Sequence, residues 1–278
     1  MAMTAKEAFA AEVKKKEAQL SLAEAALLMA EHLTGPINRS LYRHLLRDMA
    51  NTIRPKMAAA GSDRGRIEMF NHYLFEELRF VGNSDNYYHP HNSFLNVVLD
   101  QRRGIPITLS LVYLEIGWRL GLPLVGLGFP GHFMVGYDID RADPLVIDVF
   151  EAGQILTLTD CLARFELPET DLILFKQDYI KSASKRAILL RMLLNLKRIY
   201  VTLNDWEAGY KTVDLMIKIE PDAATEIRDR GLIAYRLDRL QEAIYDIRHY
   251  LFLAPDSPDA GWLRQHLRQM EERLGRLN

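Results

Sequence analysis

Cysteine is almost absent from this chain of 278 residues, which carries only Cys161. That scarcity excludes an intramolecular disulfide and any cysteine-rich metal centre. Long apolar runs are also missing. The most apolar stretch, Ile105 to Ile116, falls short of the roughly 20 residues needed to cross a bilayer and contains Glu115. The segment from Met1 to Gln19 is charged and lacks the apolar core of a signal peptide. Charge of one sign is missing too: a formal net charge of -2 gives no electrostatic reason to expect nucleic acid or an anionic membrane as partner. These absences point to a cytoplasmic protein without cofactor, metal, nucleic-acid or membrane partner. What is present, 49% hydrophobic and 26% charged residues, suits a folded chain with a buried core, and the length allows two domains.

The first 80 residues read as helices. Leu22 to Leu33 ends at Thr34-Gly35-Pro36, residues that stop a helix. Ile37 to Ala60 repeats apolar residues at Leu41, Leu45, Met49 and Ile53, with Pro55 expected to bend or shorten it. After Gly61-Ser62-Asp63, an apolar stripe resumes from Ile67 through Phe70, Leu74 and Leu78. The texture changes at Gly82 to Asn92, an ordered loop from which Asn92 or Ser93 is placed to cap a helix beginning at Phe94. A second helix is expected from Pro106 to Leu120, apolar on almost every face and therefore central. Three strands follow, Pro123 to Phe129, Phe133 to Ile139 and Leu145 to Phe150, the last two joined by a turn from Asp140 to Pro144. Alternation puts Phe133, Val135 and Tyr137 on one face of the middle strand, and His132, Met134 and Gly136 on the other. The stretch from Ala152 to Ile180 is mixed and resists division.

From Ser182 onward the chain is helical and repeats itself. Pro221 and Pro255 stand 34 residues apart, and at the same offset Ile199 matches Ile233, Val213 matches Ile247 and Ile217 matches Leu251. A period of about 34 residues closing on proline is the mark of tetratricopeptide helix pairs. The expected helices are Ala187 to Leu203, Trp206 to Ile219, Ala224 to Leu237 and Leu240 to Leu253, with Asp259 to Leu274 as a polar cap.

The chemistry gathers around the central helix and the strands carrying Gly131-His132-Phe133 and Ile147-Asp148. A hairpin turning near residue 141 brings His132 opposite residues 148 to 152, so His132 and Asp148 can touch, and a carboxylate can hold an imidazole for base work. This arrangement resembles the papain-related, transglutaminase-like fold. The resemblance implies a nucleophilic cysteine two residues after a glycine, at the start of the buried helix. Here the segment reads Gly104-Ile105-Pro106-Ile107-Thr108-Leu109-Ser110, so Pro106 or Ile107 occupies the nucleophile's place. Cys161 follows both His132 and Asp148, the wrong order, and reads as a small buried residue.

A closer likeness spans nearly the whole chain. NYYHPHNSFLNVVLDQRRGIPITLSLVYLEIGWRLGLPLVGLGFPGHFMVGY and the later IDVF are similar to the SirB family of bacterial proteins. That resemblance implies a transglutaminase-like domain joined to carboxyl-terminal tetratricopeptide repeats, again without the cysteine. Val149 departs from it, where the family pattern often has proline.

The expectation is an α+β protein with a small antiparallel sheet and many helices. A transglutaminase-like domain fills 1–180, with a helical segment over 1–80 and a core over 81–180. An all-helical repeat domain with a capping helix fills 182–278. The expected function is a non-catalytic, protein-binding or scaffolding module with a degenerate cleft, His132 and Asp148 forming a relic pair. Asn83, Tyr88, Asn92, Ser110, Glu115 and Gly131 are candidate cleft residues; Glu115 alternatively pairs with Arg119, one turn on. The alternative is a hydrolase or acyl transferase with Ser110 or Thr108 as hydroxyl nucleophile. His89-Pro90-His91 lacks a third ligand nearby and supports no metal site.

Overall fold

The computed structural model describes residues 3–58, 60–129, 131–141, 144–165 and 179–277. Four helices come first: α1 (Ala5–Val13), α2 (Leu22–Thr34), α3 (Arg39–Met57) and α4 (Asp63–Asn71), the last running into a π-helical turn over His72–Glu77. The chain then forms β1 (Val81–Gly82), a 3-10 turn over Pro90–Ser93, α5 (Leu95–Gln101), β2 (Arg103–Gly104) and α6 (Pro106–Arg119). Next come β3 (Leu124–Phe129), β4 (His132–Tyr137), β5 (Leu145–Asp148), β6 (Gln154–Leu156), α7 (Leu158–Arg164) and β7 (Ser182–Ala183). The rest is helical: α8 (Lys185–Thr202), α9 (Trp206–Ile219), α10 (Ala224–Arg236), α11 (Leu240–Leu253) and α12 (Ala260–Leu277).

Packing divides the chain into two compact units, Lys15–Met192 and Met1–Lys14 with Leu193–Asn278. This differs from the expected division near residue 180 in two ways. Helix α8 contributes to both units, and α1 belongs with the carboxyl-terminal helices. Thr4 caps α1 in a reciprocal box with Glu7, Phe9 and Val13 are buried, and Lys6 reaches Asp214 of α9 at 3.2 Å.

In the unit Lys15–Met192, a five-stranded antiparallel sheet is ordered β6-β5-β4-β3-β7. Strand alternation gives each face its own cover. Leu124 of β3 meets Gly117 of α6, so closely that a methyl group at Gly117 would collide with the Leu124 side chain. The opposite face carries Leu127, Phe129, Met134 and Val146, which pack with Leu158, Cys161 and Leu162 of α7. Helix α6 is buried without a break from Pro106 to Gly117, as its all-round apolar pattern requires.

Three expectations shift. Helix α3 buries Leu46, Met49, Ala50 and Ile53, whereas Leu41 is 54% exposed. A strict four-residue spacing drifts off one face of a 3.6-residue helix, so the stripe cannot extend back to Leu41. Pro55 sits within the last turns of α3, which ends at Met57. Neither Asn92 nor Ser93 caps α5; its cap residue is Phe94, whose side chain makes no capping bond. Of the turn from Asp140 to Pro144, residues 142 and 143 lie outside the described residues, as do 166–178 of the mixed stretch.

The helices α8 to α11 follow the 34-residue period, each matching its expected span within two residues. Pro221 and Pro255 fall two residues beyond α9 and α11. Val213 and Ile247, paired by the period, share one core with Ile217, Ile227, Ile233 and Leu263.

Candidate functional site

His132 opens β4 and Asp148 closes β5. The register Val135↔Ile147 and Gly136↔Val146 puts Asp148 opposite Met134, on the same face as His132. His132 Nε2 and Asp148 Oδ2 are 2.9 Å apart. Asp148 is 0% exposed and has three further partners. Its Oδ1 accepts the amides of Phe150 (3.0 Å) and Glu151 (3.3 Å), and its Oδ2 also accepts from Arg164 of α7. Burial alone would raise the Asp148 carboxyl. The His132 hydrogen bond and charge, together with Arg164 and the Glu151 amide, outweigh it and hold the group below the ordinary carboxylate range. The backbone around His132 is fastened as well: Arg191 of α8 donates to the carbonyls of Phe129 (2.8 Å) and His132 (2.6 Å).

The start of α6 is built from other contacts. Parallel pairing of β1 with β2 sets Gly82 beside Gly104. The intervening loop is tied by its asparagines. Asn83 donates to Asn92 Oδ1 (2.9 Å), and Asn92 donates to the carbonyls of Asn86 (2.7 Å) and Tyr87 (3.0 Å). Thr108 donates to the Asn92 carbonyl at 2.7 Å. The Phe150 ring covers Gly82, where a Cβ would lie 2.6 Å from it, and stands between Tyr87 (ring centroids 6.1 Å) and His132 (6.4 Å).

Comparison with known proteins agrees with this construction. Residues 40–194 match the model described as the transglutaminase-like superfamily, and residues 196–268 match a tetratricopeptide repeat model. A UPF0162 protein of Xylella fastidiosa strain 9a5c is 33% identical over 254 residues, 89% of each chain. The chain belongs to the UPF0162 family of transglutaminase-like proteins. A UPF0162 protein of Pseudomonas aeruginosa is 30% identical over 257 residues, 90% of this chain and 91% of that one. F-box only protein 21 of Pongo abelii is 30% identical over 216 residues, 74% of this chain and 34% of that longer protein. No solved structure matches.

Within this UPF0162 chain, the expected cleft residues do not converge on one reacting atom. Of the residues singled out, His132 and Asp148 meet each other, Asn83 and Asn92 brace the loop, and Tyr88 is 78% exposed. Gly131 serves the tight connection into β4, with a φ of +70° that favours glycine. Glu115 is buried and structural: it pairs with Arg119, one turn on, and its Oε1 accepts the Ala23 amide at the start of α2 (2.8 Å). Nearby, Arg102 lies over the Phe80 ring and Arg103 faces Asp85. Pro106 and Ile107, at the nucleophile's place, are buried. Ser110 is fully buried, and its hydroxyl has no hydrogen-bond partner among the described residues. Cys161 is buried, and burial pushes its thiol up to about 12. Among the described residues no group of three or more His, Cys, Asp or Glu is arranged for a metal ion, and no helix is long and apolar enough to cross a membrane.

Sequence reasoning misses Arg164, Arg191 and Phe150. Arg164 ends a helix inside the stretch whose sequence resists division. Phe150 looks like one more strand residue until the strand stops at Asp148.

Proposed function

We propose that the chain is a cytoplasmic, non-catalytic transglutaminase-like protein of SirB type that binds or scaffolds another protein, using its helical repeats. One observation carries the reading: both oxygens of Asp148 are fully engaged, by His132, Arg164 and two backbone amides, and among the described residues no nucleophile is in contact with His132. A triad needs an imidazole poised between a carboxylate and an attacking atom. Here the side-chain hydroxyl of Thr108 is spent on a backbone carbonyl and that of Ser110 is enclosed. The carboxylate cluster therefore reads as a fastening for β4, β5 and α7. The hydroxyl-nucleophile alternative finds no support in these contacts.

The test has two arms. Purified protein incubated with peptide, ester and amide substrates is expected to give no turnover. Turnover lost in both Ser110→Ala and His132→Ala, with the fold intact, would overturn the non-catalytic reading. In the second arm, the full chain is used as bait against a bacterial lysate. Specific capture of a protein supports the binding reading, and its absence argues against it.

A further inference from the structure

The helix pairs hold a groove of about 350 Å³, lined by Lys197, Arg198 and Val201 of α8, Trp206 of α9, and Asp229, Leu232, Ile233 and Arg236 of α10. Its charges are unequally satisfied. Lys197 is enclosed and bonded to Glu226 (2.6 Å) and Asp229 (2.5 Å). Asp229 is also held by Arg228 at 2.8 Å. The acids near the groove therefore already have cations. Arg198 and Arg236 are both exposed, and among the described residues neither has a carboxylate partner. Arg236 lies over the Trp206 ring, 5.8 Å from its centroid, a contact that steadies the guanidinium and leaves its N–H groups available.

Between these cations the wall is apolar. Leu232 and Trp206 are half-buried, and Val201 is 39% exposed, among the most exposed of the large apolar residues. An apolar slot flanked by two unpaired guanidinium groups complements one ligand chemistry: an apolar side chain next to carboxylates. Arginine matches a carboxylate's two oxygens with paired donors, so such a groove also discriminates by geometry. Arg198 and Arg236 are not related by the 34-residue period, since Leu232 and Thr202 stand at the corresponding places. The cations thus belong to this groove and do not arise from the repeat pattern.

We infer that the groove between α8 and α10 receives a peptide segment of a partner protein in which acidic side chains alternate with apolar ones, the carboxylates meeting Arg198 and Arg236. This rests on the protein-binding reading above and adds its location and the partner's chemistry.

The experiment uses the full chain and fluorescein-labelled ten-residue peptides followed by anisotropy. A peptide alternating Glu and Leu is expected to bind; one alternating Gln and Leu, or Glu and Gly, is expected to bind more weakly. Arg198→Ala and Arg236→Ala should each weaken the Glu–Leu peptide by about twofold to fivefold, as expected for exposed charge pairs. Raising the salt concentration should weaken it further. The double charge reversal Arg198→Glu with Arg236→Glu should shift preference to a Lys–Leu peptide. Both side chains are exposed, so circular dichroism and the melting midpoint should match the parent. Equal binding of the Gln–Leu peptide, no binding of the Glu–Leu peptide, or indifference to the double reversal overturns the inference. Capture of lysate proteins separates the two readings. A partner retained by the charge-reversed chain leaves the binding function standing and dismisses this groove.

Discussion

The two units each bury a cluster in which an arginine meets carboxylate, and the clusters differ in what surrounds them. In the sheet, Asp148 draws together His132, Arg164 and two backbone amides at the end of a strand. In the repeats, Arg230 of α10 lies between Asp214 of α9 and Asp246 of α11, at 2.5 Å and 2.7 Å, with Lys6 of α1 completing the set. Arg230 is central there: burial would lower its pKa, but the Asp246 bond and both carboxylate charges hold it well above the ordinary value. The repeat cluster contains nothing that resembles a catalytic group and fastens three helices. The sheet cluster contains a histidine and an aspartate in the order of a known triad, yet its bonding is of the same kind. A His/Asp contact therefore argues for catalysis only when a third, attacking group shares it.

Removing each fastening in turn tests whether the two clusters are alike. The largest effect is expected from Arg230→Ala, which leaves Asp214 and Asp246 buried without their common partner. A loss of about 3–5 kcal/mol is the scale for breaking such a buried set, measured by urea unfolding. Replacing Arg230, Asp214 and Asp246 together with apolar residues of similar volume should recover most of it.

A smaller loss, about 2–3 kcal/mol, is expected for Asp148→Asn, the scale of hydrogen bonds to a charged group. If Asp148→Asn proves harmless while Arg230→Ala is severe, the two clusters are not equivalent and the fastening role of Asp148 fails. The same variant carries a pH signature. The Asp148 carboxyl is held low in the folded chain, so the unfolded chain binds its proton more readily. Its stabilisation is therefore complete above the ordinary carboxylate pKa of about 4 and is lost as pH falls through the depressed folded value. Asp214 shifts in the same direction, with burial opposing and Lys218, Lys6 and Arg230 prevailing. Stability should thus decline on acidification below about pH 4, less steeply in Asp148→Asn than in the parent, when followed by circular dichroism.

Glu115→Gln should cost about 1–2 kcal/mol, because the amide can still accept from Ala23 but no longer pairs with the Arg119 charge. The smallest response concerns Cys161. A thiol-specific reagent at neutral pH is expected to find no reactive thiol in the native chain and one after denaturation, since the group is buried and its pKa is pushed up to about 12.

Legibility follows the range of the signal. The helix pairs can be read because Pro221, Pro255 and the apolar positions between them repeat at one offset. The His132–Asp148 contact can be read because alternation and a short turn determine which residues of neighbouring strands face each other. Arg164 cannot be foreseen, because the return of α7 onto the sheet leaves no periodic trace. Phe150 is hidden for a similar reason: its packing on Gly82 depends on where the β1–β2 pair lies in space. Helix α1 reads as part of its sequence neighbourhood, whereas its partner α9 lies about two hundred residues away and only packing reveals it.

The pairing of α1 with α9 sets an order of events during synthesis. At roughly 5–20 residues per second, the ribosome releases α1 on the order of tens of seconds before α9, the helix whose Asp214 Lys6 reaches. Until then a nine-residue helix is too short to persist by itself in water. This segment is thus made long before its partner, and when it docks on α9 the helices α10 to α12 of the same unit are still to be synthesised.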